Sequence, residues 1–195
     1  VARLLEKHPE SKAWIDRIVL MGGALEIGYN GQPPAVAEWN IKSDIPAAKA
    51  VFASGVPLLV APLDAAQGVR LTDVKQEKLF AAHTPITWEM QSLSQLDEGE
   101  ESSWLFDPIA VRLALDPKFC TTKELCLHVD DDGKTRPVKG KSNATVATKV
   151  DADKFVHWYI DAVSSAGEPV LPKEPGNRSK LVNRRGLPRV VHAFE

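Results

Sequence analysis

The chain has 195 residues, of which 44% are hydrophobic and 26% charged, and its 24 basic residues nearly balance 26 acidic ones. These proportions exclude a disordered chain, a collagen-like fibre and a coiled coil, and the balanced charge argues against a dedicated nucleic-acid binder. No apolar run approaches the roughly 20 residues that span a bilayer. Two cysteines are too few for a disulfide framework, so we expect a cytoplasmic protein without a membrane partner.

The N-terminal half predicts a parallel strand–helix–strand unit. Residues 1–7 predict a helix that no capping residue precedes, and we interpret this as a sign that an N-terminal part is missing. The next predicted elements are a buried strand at 17–21, a long loop at 24–41, a helix that Ser43-Asp44 begins, and a second buried strand at 57–62. Strand, loop, helix and strand in this order are typical of a βαβ unit.

The C-terminal half predicts further helices and a group of strands. In chain order we expect an amphipathic helix at 72–91, an acidic mobile loop at 93–103, a helix that Asp107-Pro108 begins, strands at 125–129, 135–139 and 145–150, and a helix capped by Asp151. The acidic run 130–133 lacks the alternating ligands of a calcium loop and predicts a hairpin turn. The tail at 168–195, rich in proline and basic residues, is expected to be extended.

The predicted fold class is α/β, with an open, mostly parallel, Rossmann-like sheet flanked by helices and incomplete at the N-terminus. Residues 1–167 are expected to form the C-terminal portion of this domain. The glycines at 22, 23 and 28 do not match the dinucleotide fingerprint, although a plain nucleotide-binding Rossmann-like domain remains a weak alternative. P-loop and zinc-ligand spacings are absent from the sequence.

The long loop after the first strand carries one carboxylate and two amides. Glu38 and Asn40 are two residues apart, so in extended backbone their side chains point to the same side, opposite Trp39. Together with Asn30 they supply the acceptors and donors that a polyol needs. The alternative is a solvated loop with a capping asparagine.

Asp107 has two interpretations. An aspartate before a proline is an ordinary N-cap at a helix start, which the local pattern favours. The other interpretation is a metal-binding carboxylate.

Several spaced motifs resemble the inosine–uridine-preferring nucleoside hydrolase family. They cover roughly residues 1–165 and consist of Met21-Gly22-Gly23-Ala24, Gly28 with Asn30, Ala37-Glu38-Trp39-Asn40-Ile41, Ser43-Asp44 with Pro46-Ala47-Ala48, Ala61-Pro62-Leu63-Asp64, Phe106-Asp107-Pro108-Ile109-Ala110, and 146–151 with Phe155. The resemblance implies a hydrolase that cleaves the N-glycosidic bond of a ribonucleoside to ribose and free base.

The resemblance also implies site residues. Asn30, Glu38 and Asn40 correspond to contacts with the ribose hydroxyls, and Asp107 corresponds to a late calcium-binding aspartate. Met21 and Trp39 correspond to residues that line the sugar pocket. Ca²⁺ is the implied cofactor, a small ribonucleoside is the implied ligand, and a homo-oligomer (dimer or tetramer) is expected.

Two departures from the family pattern matter. The family begins with an acidic D-x-D-x-x-x-D-D stretch that supplies the water-activating aspartate and most calcium carboxylates, and this stretch is absent here. Phe106 stands where several members have a histidine suited to protonating the leaving base. Trp104 is equally suited to stacking on a purine and to the core. The rival hypothesis is therefore a truncated, non-catalytic relative that binds a ribosyl ligand or a protein.

Overall fold

A computed structural model describes residues 1–95 and 102–167. The predicted tail at 168–195 and residues 96–101 of the predicted acidic loop lie outside this range. Within it, the strands are β1 (Ile18–Met21), β2 (Leu58–Ala61), β3 (Arg70–Thr72), β4 (Ser102–Trp104), β5 (Thr121–Val129), β6 (Thr135–Val138) and β7 (Ala144–Lys149). Five of them form one sheet in the order β1-β2-β7-β5-β6. The other two, β3 and β4, form a separate antiparallel pair.

The predicted open sheet flanked by helices is confirmed, and the sheet is mixed. β1, β2 and β7 are parallel neighbours, whereas β5 pairs antiparallel with both β7 and β6. The predicted hairpin turn at 130–133 accounts for part of this pattern, because a tight turn can join only antiparallel strands. Gly133 adopts a φ of +80° in that turn.

Helices lie on both faces of the sheet. They are α1 (Ala2–Lys7), α2 (Trp39–Ser43), α3 (Ile45–Phe52), α4 (Leu63–Ala66), α5 (Asp73–Phe80), α6 (Pro85–Ser94), α7 (Phe106–Leu115) and α8 (Ala152–Ser164), with 3-10 turns at Pro9–Trp14 and Pro117–Phe119. One apolar cluster joins β1 and β2 to α7 and α8, and a second joins the sheet to α3. Among the described helices, none is long and apolar enough to cross a membrane.

Two predictions about the middle of the chain were wrong. The single helix expected at 72–91 is two helices, α5 and α6, because His83 has a φ of 49° and Thr84 starts a new helix with Pro85 in its first turn. The hydroxyl of Thr84 accepts from the Thr87 amide, which makes it the cap of α6. The end of the expected loop at 93–103 is strand β4, which pairs with β3.

Candidate functional site

Two loops meet at the carboxyl edge of the parallel pair β1–β2, which is where open α/β sheets bind their ligands. The Gly22 amide donates to the Ala61 carbonyl at 3.1 Å, and the Leu63 amide donates to the Gly23 carbonyl at 2.8 Å. These bonds continue the pairing beyond the strands. The loop after β1 and the loop after β2 therefore leave the sheet side by side.

The turn after β1 requires glycine. Gly23 has a φ of +84°, and a Cβ at this position would lie 2.9 Å from the hydroxyl of Thr135 on β6. Any side chain there would be strained and would collide with the hairpin. The β5–β6 hairpin thus fixes the path by which the chain enters the candidate site.

Asp64, at the start of α4, holds the loop that follows β1. Its Oδ2 accepts from the Leu25 amide at 2.8 Å, and its Oδ1 accepts from the amides of Glu26 and Ile27 at 2.8 and 3.3 Å. A carboxylate that accepts several backbone amides is a strong local constraint. Sequence analysis gave Asp64 no site role, although an acid directly after a buried strand was the available signal.

Glu38 is buried, with 2% of its surface exposed, and both carboxylate oxygens accept hydrogen bonds. Its Oε2 accepts from the amides of Gly23 and Ile41 at 3.1 and 3.2 Å. Its Oε1 accepts from the Asn40 amide at 3.0 Å and, through a long contact of 3.5 Å, from the Tyr29 hydroxyl. Glu38 therefore joins the β1 turn to the start of α2, and its contact with ribose stays a prediction.

The expected extended backbone at 38–40 is wrong, because α2 begins at Trp39 and Glu38 is its N-cap. A carboxylate that accepts first-turn amides favours the helical path. Asn40 nevertheless lies on the first turn, and its Nδ2 donates to the Met21 carbonyl at 3.3 Å and contacts the Met21 sulfur at 3.5 Å. The structure thus brings Glu38, Asn40 and Met21 together at one place.

Asn30 and Trp39 are both exposed, and no contact of the Asn30 side chain with this cluster is seen among the described residues. Asn30 Oδ1 accepts from the Gln32 amide at 3.1 Å, which is a local turn contact, and the Trp39 side chain is 72% exposed. Tyr29, which sequence analysis missed, contacts the start of α2, since its hydroxyl accepts from the Trp39 amide at 2.7 Å. No local pattern in the sequence signalled this contact.

The Tyr29 hydroxyl is neutral at ordinary pH. Burial raises its pKa above the usual value for tyrosine, the hydrogen bond from the Trp39 amide opposes that increase, and the charge of Glu38 adds to it. The protonated hydroxyl can therefore accept from Trp39 and donate towards Glu38 at the same time.

Trp104 and Phe106 form a stacked pair. Their ring centroids are 5.4 Å apart with an interplanar angle of 12°, and the Arg70 guanidinium lies 3.8 Å from the centroid of Trp104. Phe106 also packs against the apolar cluster that contains Met21. The stacked pair therefore connects the start of α7 with the apolar cluster that contains Met21 of β1. Contact of this pair with a base stays a prediction.

The expected N-cap role of Asp107 is wrong. The cap of α7 is Leu105, and Asp107 is the second residue of the helix, exposed in its first turn. Within residues 1–95 and 102–167, no group of three or more histidines, cysteines, aspartates or glutamates could hold a metal. Because calcium takes six to eight oxygens, this donor set does not by itself fit the implied ion.

The structure is an open α/β sheet with polar side chains and tight loops at the carboxyl ends of its parallel strands. These features define the class of α/β proteins that bind small molecules at this edge of the sheet. The sequence model of the inosine-uridine preferring nucleoside hydrolase family matches residues 1–157. The chain belongs to this family, which confirms the resemblance found in the motifs.

The similarity to individual relatives supports the family assignment. The chain is 35% identical over 185 residues to the pyrimidine-specific ribonucleoside hydrolase RihA of Salmonella arizonae, covering 86% of this chain and 58% of that protein. RihA of Escherichia coli O1:K1 is 34% identical over 179 residues, covering 83% and 57% respectively. The chain thus spans less than two thirds of the length of these relatives.

Solved structures show the same fold. A purine-preferring ribonucleoside hydrolase from Gardnerella vaginalis matches with a TM-score of 0.68 and 29% identity, covering 84% of this chain and 56% of that one. A plant nucleoside hydrolase matches with a TM-score of 0.72 and 22% identity, covering 84% and 58%. The second likeness concerns the fold alone.

Proposed function

We propose that the protein containing this chain hydrolyses the N-glycosidic bond of ribonucleosides to ribose and a free base. The observation that carries the proposal is the hydrogen-bonded cluster of Glu38, Asn40 and Met21 at the carboxyl edge of β1, in a member of a nucleoside hydrolase family. The names of its relatives include both pyrimidine-specific and purine-preferring enzymes. Both classes of nucleoside are therefore proposed substrates.

The residue types at the candidate site suit the positive charge that develops on the sugar during this reaction. Positive charge grows on the sugar ring as the base leaves, so oxygen acceptors held around the ring stabilise the transition state more than the ground state. In this proposal Asn30, Glu38 and Asn40 contact ribose hydroxyls. The buried carboxylate of Glu38 also holds the Asn40 amide and adds negative charge nearby. Trp39 and Met21 line the sugar, while Trp104 and Phe106 lie towards the base.

Calcium dependence forms part of the proposal. The ion would hold ribose hydroxyls and a water, and exposed Asp107 would supply one oxygen. The described residues do not gather enough ligands for it. In this proposal the aspartate that activates water is not one of the residues of this chain. No step of the reaction is therefore derived through the ion. A cytoplasmic location and a homo-oligomer stay predictions.

The test is the release of free base from uridine and inosine. The full-length protein is assayed with added Ca²⁺, after chelation, and after Ca²⁺ is restored. We expect base release that chelation abolishes and Ca²⁺ restores. Base release that continues unchanged after chelation would contradict the proposed calcium dependence, but not the proposed hydrolysis. Absence of release under all three conditions would support the non-catalytic, ribosyl-binding alternative, which ribose binding measured by calorimetry then tests.

Phe106→His is expected to change the preference among bases. A histidine can protonate a leaving base and a phenylalanine cannot, so the ratio of kcat/KM for inosine to that for uridine should change by about tenfold or more. Phe106→Leu is the matched control, because it removes the ring that stacks on Trp104 without adding an acid. A ratio that stays equal in the wild type and both variants would count against Phe106 facing the leaving group.

A further inference from the structure

Tyr29 is tied to the rest of the molecule at both its main chain and its side chain. Its hydroxyl accepts from the Trp39 amide at 2.7 Å and lies 3.5 Å from Glu38 Oε1. Its carbonyl accepts from Gln67 Nε2 at 3.2 Å. One residue of the long loop thus bridges the start of α2 and the segment that follows α4.

A tight turn presents Tyr29 in this position. The Gly28 amide donates to the Gln32 carbonyl, and the Gly31 amide donates to the Gly28 carbonyl, both at 2.9 Å. Gly31 has a φ of +73°, and a Cβ there would lie 3.3 Å from the Gln67 side chain. The loop therefore packs closely against Gln67 at Gly31, and the same side chain bonds the Tyr29 carbonyl.

The contact completes the N-terminus of α2. The first amides of a helix have no partners within the helix. Glu38 accepts those of Asn40 and Ile41, and the Tyr29 hydroxyl accepts that of Trp39. Because α2 has only five residues, its own cooperativity is too weak to hold its start in place.

The position of that start decides where two predicted ligand contacts lie. Trp39, a residue that is 72% exposed, is the first residue of α2, and Asn40 is the second. We propose that Tyr29 is a positioning residue, whose hydroxyl fixes the start of α2 so that Trp39 and Asn40 meet the sugar together. This inference rests on the proposed function and adds a residue to which sequence analysis gave no role.

The experiment compares the two tyrosines of the chain. Tyr29→Phe removes only the hydroxyl that accepts from Trp39. Tyr159→Phe is the matched control, since Tyr159 lies on α8 and packs near Phe155, with ring centroids 6.5 Å apart. Both variants are made in the full-length protein. The measurements are the melting temperature, steady-state kinetics with uridine and inosine, and hydrogen exchange of the Trp39 amide.

We expect Tyr29→Phe to lower kcat/KM by about tenfold or more, because a small misplacement of contacting groups is costly. KM should rise by about threefold or more, whereas a smaller folded fraction would lower only the apparent kcat. The Tyr159→Phe variant should match the wild type in both constants. A wild-type KM in the Tyr29→Phe variant, whatever its melting temperature, would overturn the positioning role.

Hydrogen exchange separates this inference from the proposed function. The Trp39 amide should exchange faster in Tyr29→Phe than in the wild type, and at the wild-type rate in Tyr159→Phe. If the wild type releases no base, the proposed function fails, and exchange then decides whether the Tyr29 hydroxyl fixes the start of α2. Unchanged exchange overturns the inference, and faster exchange limited to Tyr29→Phe supports it.

Discussion

Glu38→Ala is expected to lower the free energy of unfolding by about 2–4 kcal/mol, since each buried donor left without an acceptor costs about 1–3 kcal/mol. The carboxylate serves the amides of Gly23 and Ile41, both in buried residues, and also that of Asn40. Urea unfolding followed by circular dichroism measures the change. The same variant should also lose base release, because the start of α2 loses its cap.

Glu26→Ala is the control for this measurement. Glu26 is an exposed glutamate in the same loop; its amide donates to Asp64, and its side chain makes no hydrogen bond or ion pair with any residue that the structure describes. Its replacement should change stability by no more than about 0.5 kcal/mol. Equal stability of the two alanine variants would show that the hydrogen bonds of Glu38 do not hold this part of the fold.

Asn40→Ala is expected to lower kcat/KM by at least about tenfold, a loss of roughly 1.4 kcal/mol of transition-state stabilisation. Asn40 is exposed, and its Nδ2 bond to the Met21 carbonyl orients its side chain at the carboxyl edge of β1. Removing an exposed amide should leave the unfolding free energy nearly unchanged. The kinetics of uridine and inosine hydrolysis by the full-length protein provide the measurement.

Ser43→Ala is the matched control at the other end of the same helix. The Ser43 hydroxyl donates to the Trp39 carbonyl at 2.7 Å within α2. Its replacement tests whether any small change in this helix impairs the reaction. Unchanged kinetics in Asn40→Ala would remove Asn40 from the site, and an equal loss in both variants would assign the effect to the helix as a whole.

Glu38 and Asn40 illustrate which features of the candidate site could be predicted from neighbouring residues in the sequence. Their residue types and spacing pointed to a polar cluster, and the structure brings the two residues together with Met21, through the Asn40 amide and the Asn40 side chain respectively. The backbone path was predicted as extended because two polar residues separated by one aromatic residue match a strand period. Glu38 instead caps a helix by accepting from the amides of Asn40 and Ile41. Its contacts with Gly23 and Tyr29, 15 and 9 positions away, hold the carboxylate in the place where it does so.

The helices that the sequence predicted well carry their start signals within a few residues. The Asp44 carboxylate accepts from the Ala47 amide at 3.0 Å and caps α3, and Asp151 caps α8 through the Lys154 amide at 3.1 Å. β2 was predicted from an apolar run between prolines, and all four of its residues are buried. Such signals act over short separations and need no knowledge of the rest of the fold.

The sequence by itself determined the α/β class, the strand–helix–strand unit and the family, because capping residues, apolar runs and spaced motifs are local properties of the chain. Tertiary structure decided the antiparallel pairing of β5 with β7, the contacts that hold Glu38 at the start of α2 and the contacts of Tyr29. It also decided that α7 begins at Phe106 and not at the predicted Asp107; the Phe106 ring packs on Trp104 and the core. These features depend on partners that folding brings together from distant parts of the chain, and spacing along the sequence does not encode them.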